Sequence, residues 1–297
     1  MERLVNGKAI AEKFCETLKK KVEKLKYHGI TPCIALIKAN NDPASEIYVS
    51  KKENLAKILG IRSQTYKFLP GVKEDFLKNL INDLNQDPTV HAILLQSPLA
   101  EGLSFKKLIN FISPEKDVDG LTSVNQGKLF AGENCVLPCT PQGVMHLIHS
   151  VKKNISGMHA TVLGRSVIVG RPMISLLLNN NCTVTALHSK SKNVLGICST
   201  ADIIVSAIGK PKFITKDFIK PGAIVIDVGI NRIITPEGKK KVVGDVDLDD
   251  VWNSVEAITP VPNGVGPMTV AYLMSNTVNL AINQNRKRLG LTFDEFC

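Results

Sequence analysis

The stretch VLGRSVIVGRP, Val162 to Pro172, has the residue types of an anion-binding turn. An apolar run, HATVLG, precedes it and a helical one, RPMISLLLNN, follows. A dinucleotide fingerprint reads G-x-G-x-x-G at such a place. Laid on that template, Gly164 is kept, Ser166 stands at the second glycine and Val169 at the third. A helix opening there, with Pro172 in an early turn, offers unpaired N–H groups and a positive dipole end to a phosphate. Arg165 and Arg171 add charge. No G-K-[ST] follows, which excludes a P-loop.

The segment CTVTALHSKSKN reads as the second strand of the same unit. A site for NAD places Asp or Glu at the end of that strand, to hold the ribose 2′-hydroxyl. Here the residues are His188, Ser189 and Lys190, with no acid. A carboxylate would repel a 2′-phosphate, whereas Ser189, Lys190 and Arg165 could bind one. The expectation is NADP rather than NAD; the plainer reading makes residues 188–192 a polar loop.

Two other clusters are weaker. His146 and His149 form H-x-x-H on a predicted helix but lack a third ligand of suitable spacing. DVDLDD, Asp245 to Asp250, lacks the glycine and terminal glutamate of a calcium loop. No metal is expected. The seven cysteines are scattered without a C-x-x-C, so reduced thiols in a cytoplasmic protein are the expectation.

Strand-like and helical runs alternate around these residues. CIALIKA precedes a helix from about Pro43 to Leu59, RSQTYKFL precedes KEDFLKNLINDLNQ, and VHAILLQ precedes SFKKLINFI. A second series begins near Ala160 with ATVLG, CTVTAL, ADIIVSAIG and GAIVIDVGI. Such a rhythm, with strands apolar throughout, predicts α/β architecture and buried parallel sheets. The segment from Pro114 to Gly143 is rich in Gly, Pro and Asn, weak in periodicity, and long enough to line an interdomain cleft. The tail from Thr269 reads as a helix packing back on the first domain.

The chain has 297 residues and a formal net charge of +10. Its lysines are dispersed with few aromatics among them, and LKKKVEKLK reads as the solvated face of a helix. Small polyanions suit that charge better than nucleic acid. No apolar run is long enough to cross a bilayer, and the N-terminal residues do not resemble a secretory signal.

GRSVIVGRP, preceded by PCTPQG and followed by PGAIVIDVGIN, GDVD and ITPVPNGVGPMTVAYLM, resembles the methylenetetrahydrofolate dehydrogenase/cyclohydrolase family. GKAIAEKF, DPASEIYVSKK, LLQSPL and PEKDVDGLT extend the resemblance over nearly the whole chain. It implies an N-terminal α/β catalytic domain and a Rossmann-like doubly wound NAD(P)-binding domain with a cleft between them. The expected division is 1–138 plus 270–297 against 139–269. The implied reactions oxidise 5,10-methylenetetrahydrofolate with NADP+ and hydrolyse the methenyl product to 10-formyltetrahydrofolate.

The resemblance also implies roles. In YVSKK it makes Tyr48 the aromatic that packs on the folate and Lys52 the acid–base residue; four apart on a helix, they share a face. A cationic methenyl group and a dry cleft would both lower the lysine's pKa. Gln96 is implied to hydrogen-bond and tune Lys52, and Asp119 to grip the pterin donor edge, with Pro262 and Gly264 beside the substrate. Gly164, Arg165, Ser166, Val169, Gly170, His188, Ser189, Ile230 and Thr269 are implied to hold the dinucleotide. Cys139 reads as packing. Taken singly, Lys52 would be a surface lysine, Gln96 a strand-end polar residue and Asp119 an Asx turn before Gly120.

Two positions depart from the family pattern. Ser97 stands for Leu, changing polarity beside Gln96, and Asn263 stands for Gly, at a turn where Asn also tolerates positive φ. The expected partners are tetrahydrofolate derivatives, with or without polyglutamate tails, and a second copy in a homodimer joined through the cofactor domain. No nucleic acid or membrane partner is expected. The alternatives are another two-domain NADP-dependent dehydrogenase without hydrolase activity, and a non-catalytic NADP-binding or nucleic-acid-binding module.

Overall fold

The computed structural model describes residues 3–234 and 238–286. The end of the expected terminal helix, Cys297, and Met1 and Glu2 of the N-terminal stretch lie outside them. The chain forms two compact units, each considered within its described residues. The first takes Lys13–Lys128, Asn134–Cys139 and Val270–Cys297; the second takes Met1–Glu12, Leu129–Glu133 and Thr140–Thr269.

The sequence-based division gave residues 1–12 and 129–133 to the first domain, and here they differ. Leu4 forms a parallel bridge with Ile258, and Val5 N–H donates to the Ile258 carbonyl at 2.8 Å. Asn179 Nδ2 donates to the Leu129 carbonyl at 3.3 Å. Hydrophobic periodicity reports neither the backbone pairing nor the side-chain bond.

In chain order the first series is α1 (Gly7–Tyr27), β1 (Cys33–Ala39), α2 (Pro43–Leu59), β2 (Arg62–Phe68), α3 (Glu74–Gln86), β3 (Ala92–Gln96), α4 (Phe105–Leu108) and α5 (Ser123–Phe130). The sheet is parallel, in the order β2-β1-β3. Successive side chains of a strand point to opposite faces. Ile34 and Leu36 of β1, with Ala92 and Leu94 of β3, therefore pack against α1 and α2, while Ala35, Ile37, Ile93 and Leu95 pack against α3. β1 is buried at every residue, as expected of a central parallel strand. β2 is not: at an edge of the sheet it leaves Arg62 and Lys67 exposed, correcting the expectation of uniformly buried strands, whereas the opposite edge, β3, is bridged by Asp117 and stays buried. The segment Pro114 to Gly143, weak in periodicity, nevertheless contains α5.

The second series is α6 (Cys139–Val151), β4 (His159–Leu163), α7 (Gly170–Asn179), β5 (Thr183–Leu187), α8 (Val194–Cys198), β6 (Ile203–Ser206), β7 (Ala223–Asp227), β8 (Asn231–Ile234), β9 (Lys240–Val243), α9 (Leu248–Val251), β10 (Val255–Ile258) and α10 (Val265–Gln284). Five strands make a parallel sheet in the order β10-β7-β6-β4-β5, and β8 and β9 form an antiparallel pair. The chain moves from β4 outward to β5 and then returns to β6 on β4's other side. The order therefore reverses between β4 and β6, and ligands of such sheets bind beyond the carboxyl ends of the strands at that point. β5, another edge strand, is half exposed.

The terminal helix begins at Val265, four residues before the expected Thr269. Leu273, Met274, Val278, Leu280 and Ala281 of α10 join the α1–α2 side of the first unit's core. Burying each large apolar side chain contributes about 1.5–3 kcal/mol, before the entropy of ordering it is subtracted.

Candidate functional site

The two-residue period of β3 that buries Ala92 and Leu94 under α2 also points Gln96, at the strand's end, to the same face. Lys52 projects from α2, and its Nζ donates to Gln96 Oε1 at 2.8 Å. Gln96 Nε2 donates to the Ser97 carbonyl at 2.6 Å, which fixes the amide orientation and turns its oxygen to the lysine. Any residue at 97 supplies that carbonyl, so the serine side chain is not what orients Gln96.

Burial lowers the Lys52 pKa, opposed by the Asp119 carboxylate and by Cys139. Desolvation thus acts on the amine before any cationic ligand arrives. A neutral amide as the direct partner accepts a hydrogen bond from the ammonium without contributing a full ion pair. Tyr48 lies half-buried one turn earlier on α2, and its ring neighbour is Lys51, with Nζ 5.9 Å from the centroid.

The two acids of KDVDG part company. Asp117 is fully buried and accepts from Leu121 N (3.1 Å), Thr122 N (2.8 Å) and Asn125 Nδ2 (2.8 Å). It therefore ties the chain into the start of α5, where N–H groups lack helical partners. Asp119, only half-buried, interacts with Lys52 and Cys139 instead. The Asx-type contacts belong to Asp117, not to Asp119.

Cys139 is buried, and burial raises its thiol well above the ordinary range, so it stays neutral. Asn276 Nδ2 donates to the carbonyls of Val118 (2.8 Å) and Leu137 (2.9 Å), fastening the segments that carry Asp119 and Cys139. A lone Asn in an apolar helix offers no sequence signal of that role.

In the second unit the turn from Gly164 to Gly170 joins β4 to α7. Gly164 has φ +117°, and a Cβ there would collide with the Ala207 carbonyl. A Cβ on Gly170 would collide with the Gly164 carbonyl. Close helix–strand packing is the task of the third fingerprint glycine. It falls on Gly170, one residue beyond Val169, which corrects the template alignment.

Ser166 Oγ accepts from Val169 N (3.2 Å) and Gly170 N (3.3 Å), capping the helix start. Its hydroxyl proton remains able to donate to a phosphate. Arg165 and Ser166 are exposed, so the turn presents one cation and one hydroxyl outward. The close backbone approach and the helix start fit a dinucleotide.

At the end of β5, residues 188–191 form a hydrogen-bonded turn. Ser191 N donates to the His188 carbonyl at 2.8 Å, and Lys190 N donates to His188 Nδ1 at 3.1 Å. That leaves Ser189 and Lys190 exposed. Ile230 is 53% exposed just beyond β7. Thr269 Oγ1 lies 3.0 Å from Thr140 Oγ1 within the second unit. Pro262 and Gly264 also belong to the second unit, whereas Tyr48, Lys52, Gln96 and Asp119 are grouped in the first. Asn263 adopts φ +78°, the conformation in which asparagine was expected to replace glycine.

Asp227, within PGAIVIDVGIN, and Asp245, within GDVD, carry no role that the sequence alone assigns. Both are buried carboxylates, and Asp245 accepts five hydrogen bonds from the chain itself. Their spacing carries no familiar pattern, because the donors are mostly backbone N–H groups from distant segments. Among the described residues, no helix is long and apolar enough to cross a membrane, and no three His, Cys, Asp or Glu side chains group as metal ligands.

Residues 5–119 match the tetrahydrofolate dehydrogenase/cyclohydrolase catalytic domain, and residues 138–285 match the NAD(P)-binding domain of the same family. The bifunctional protein FolD of Wolbachia sp. subsp. Drosophila simulans (strain wRi) is 50% identical over 286 residues, covering 96% of this chain and 97% of that protein. The crystal structure of the bifunctional FolD methylenetetrahydrofolate dehydrogenase/cyclohydrolase of Campylobacter jejuni is 42% identical, with a TM-score of 0.91 over 94% of this chain and 98% of the other. The Trypanosoma brucei FolD, solved with NADP cofactor and an inhibitor, is 34% identical with a TM-score of 0.91, covering 95% and 98%.

Proposed function

The chain belongs to the tetrahydrofolate dehydrogenase/cyclohydrolase family, and from that premise we propose that it oxidises 5,10-methylenetetrahydrofolate to the 5,10-methenyl form and hydrolyses this to 10-formyltetrahydrofolate. The observation that carries the reading is the lysine on α2 that is hydrogen-bonded to a neutral amide, 2.8 Å away, and whose charge burial disfavours. Burial that disfavours the ammonium makes this amine a better proton acceptor than an ordinary lysine.

NADP+, when bound, accepts a hydride from the one-carbon unit. The chain's own contribution is to bind and orient: Asp119 accepts N–H bonds from the pterin, Tyr48 packs on the folate, and Pro262 and Gly264 stand near the substrate. In the hydrolysis, Lys52 takes a proton from the attacking water as its oxygen bonds to the methenyl carbon; the carbon–N5 bond then breaks as N5 takes a proton back from Lys52 and the hydroxyl loses its own to become the formyl carbonyl. Gln96 holds the amine toward the water. Gly164, Ser166, Val169 and Gly170 take the diphosphate, Arg165, His188 and Ser189 the 2′-phosphate side, and Ile230 and Thr269 the remainder of the dinucleotide. The folate domain is the unit built on residues 13–128, 134–139 and the chain after Thr269, and the cofactor domain the unit that holds Thr140–Thr269.

The protein works in cytoplasmic one-carbon metabolism, where its product supplies purine biosynthesis, and acts as a homodimer joined through the cofactor domain. The net charge of +10 suits folates with polyglutamate tails. The deciding experiment follows absorbance with methylenetetrahydrofolate and each nicotinamide cofactor. Methenyl product should appear faster with NADP+ than with NAD+ and then decay enzymatically. Accumulation without enzymatic decay removes the hydrolase half; no methenyl product removes the reading.

A further inference from the structure

Asp245 lies between β9 and α9 and is fully buried. Its Oδ2 accepts from Ser206 Oγ (3.1 Å), Ile208 N (2.8 Å) and Gly209 N (3.3 Å); its Oδ1 accepts from Lys210 N (3.0 Å) and Asn231 Nδ2 (2.9 Å). Three successive backbone N–H groups converging on one point make an anion-binding nest. Here the protein's own carboxylate fills it.

Asp227 holds the carboxylate's own backbone in turn. It accepts from Asp245 N at 3.0 Å, Val246 N at 2.9 Å and Gly229 N at 2.9 Å. Gly229 and Gly244 leave room for the two acids: a Cβ on Gly229 would collide with the Asp245 carboxylate, and one on Gly244 with that of Asp227.

The loop so fastened, residues 207–210, leaves the carboxyl end of β6 at the point where the strand order reverses. Ala207 N donates to the Leu163 carbonyl at 2.8 Å, and the Ala207 carbonyl occupies the space that a Cβ on Gly164 would need. The loop is therefore one wall of the β4–α7 turn. With its N–H groups already committed to Asp245, it competes for no phosphate, which leaves the diphosphate to the N-terminus of α7.

We propose that Asp245 is a positioning residue for the dinucleotide: an internal anion that holds loop 207–210 against Gly164 and so sets the shape of the phosphate turn. This rests on the dinucleotide reading above. An Asn at 245 keeps the volume but turns an NH2 group toward N–H donors, stranding buried donors and releasing the loop.

The test measures NADP+ binding by calorimetry, with thermal melting and steady-state kinetics alongside, for the wild-type chain and for Asp245→Asn, Ser206→Ala and Asn231→Ala. Asp245→Asn should weaken the Kd for NADP+ about tenfold or more, and each milder variant about two- to fivefold. The kcat at saturating NADP+ should stay within about threefold of wild type, because no reacting atom touches Asp245. A role in stability alone would lower the melting temperature without this split between affinity and kcat.

Unchanged Kd in a folded Asp245→Asn overturns the proposal. Should that variant fail to fold, unchanged Kd in both milder variants overturns it equally. Wild-type chain that binds NADP+ but oxidises no methylenetetrahydrofolate would defeat the proposed activity while the Kd comparison still decides the role of Asp245.

Discussion

Lys52 Nζ donates to Gln96 Oε1 at 2.8 Å, and the amide nitrogen of Gln96 is committed to the carbonyl of Ser97. The lysine's direct partner is thus neutral and cannot rotate to present its NH2 group without losing two bonds. Replacing it by a carboxylate would create an ion pair in a dehydrated place, and the ammonium would be favoured. Gln96→Glu should therefore raise the Lys52 pKa, moving the alkaline rise of methenyl hydrolysis upward by about one unit or more, equivalent to about 1.4 kcal/mol. A pH–rate profile of the hydrolysis checks this; an unmoved profile separates Gln96 from the titration.

Removing the amine is the sharper change. Lys52→Met should lower methenyl hydrolysis by about 10²- to 10⁴-fold, the range general base catalysis supplies. A rate near that of the wild-type chain would assign the base elsewhere.

Asp119 and Asp117, two residues apart, should answer differently to the same substitution. Asp119→Asn should raise the KM for folate and leave the melting temperature nearly unchanged. Asp117→Asn should cost about 1–3 kcal/mol of stability, because buried donors from Leu121 and Thr122 lose a carboxylate. Folate titrations and thermal melts on both variants separate a ligand contact from a structural one.

For the cofactor, Arg165→Ala and Ser189→Ala should each raise KM for NADP+ more than for NAD+, by about 5- to 10-fold for the arginine, since a charge-assisted bond to phosphate is lost. Comparing kcat/KM for the two cofactors reads the effect. Equal losses for both would place these residues away from the 2′-phosphate.

His91 predicts acid sensitivity. It is buried, accepts from Cys33 N through Nδ1 at 3.2 Å, and has its pKa pushed down to about 4, chiefly by burial and then by Lys116 and Arg62. The unfolded chain takes up a proton near 6.5, whereas the folded one resists until about 4. Stability attributable to His91 is therefore complete above pH 6.5 and lost as the pH falls toward 4, by about 3 kcal/mol in all. Urea unfolding at pH 7.5 and 4.5 should show a smaller drop in His91→Gln than in the wild-type chain.

The alternation of strand and helix, the course of α2, and the turn after β4 were legible in sequence because each depends on residues near one another along the chain. Apolar runs fall every second residue or fill a central strand, and a glycine with φ +117° marks a turn. Resemblance extended this to Tyr48, Lys52, Gln96 and Asp119, which no spacing rule would have assembled.

Tertiary structure decided the rest. Which strands stand at sheet edges, and which edges other segments cover, depends on pairing between distant segments: β2 and β5 are half exposed, whereas β3 and β10, also at edges, are bridged by Asp117 and Leu4 and mostly buried. So does the assignment of residues 3–12 to the second unit, made through Leu4 and Ile258. That Gly170 rather than Val169 performs the third glycine's task is a matter of clearance to the Gly164 carbonyl, which a template cannot measure. The division of labour between Asp117 and Asp119 turns on which backbone N–H groups lie within reach. Asp245 was invisible for the same reason: its five donors come from residues 206 to 231, and only folding collects them around one buried carboxylate.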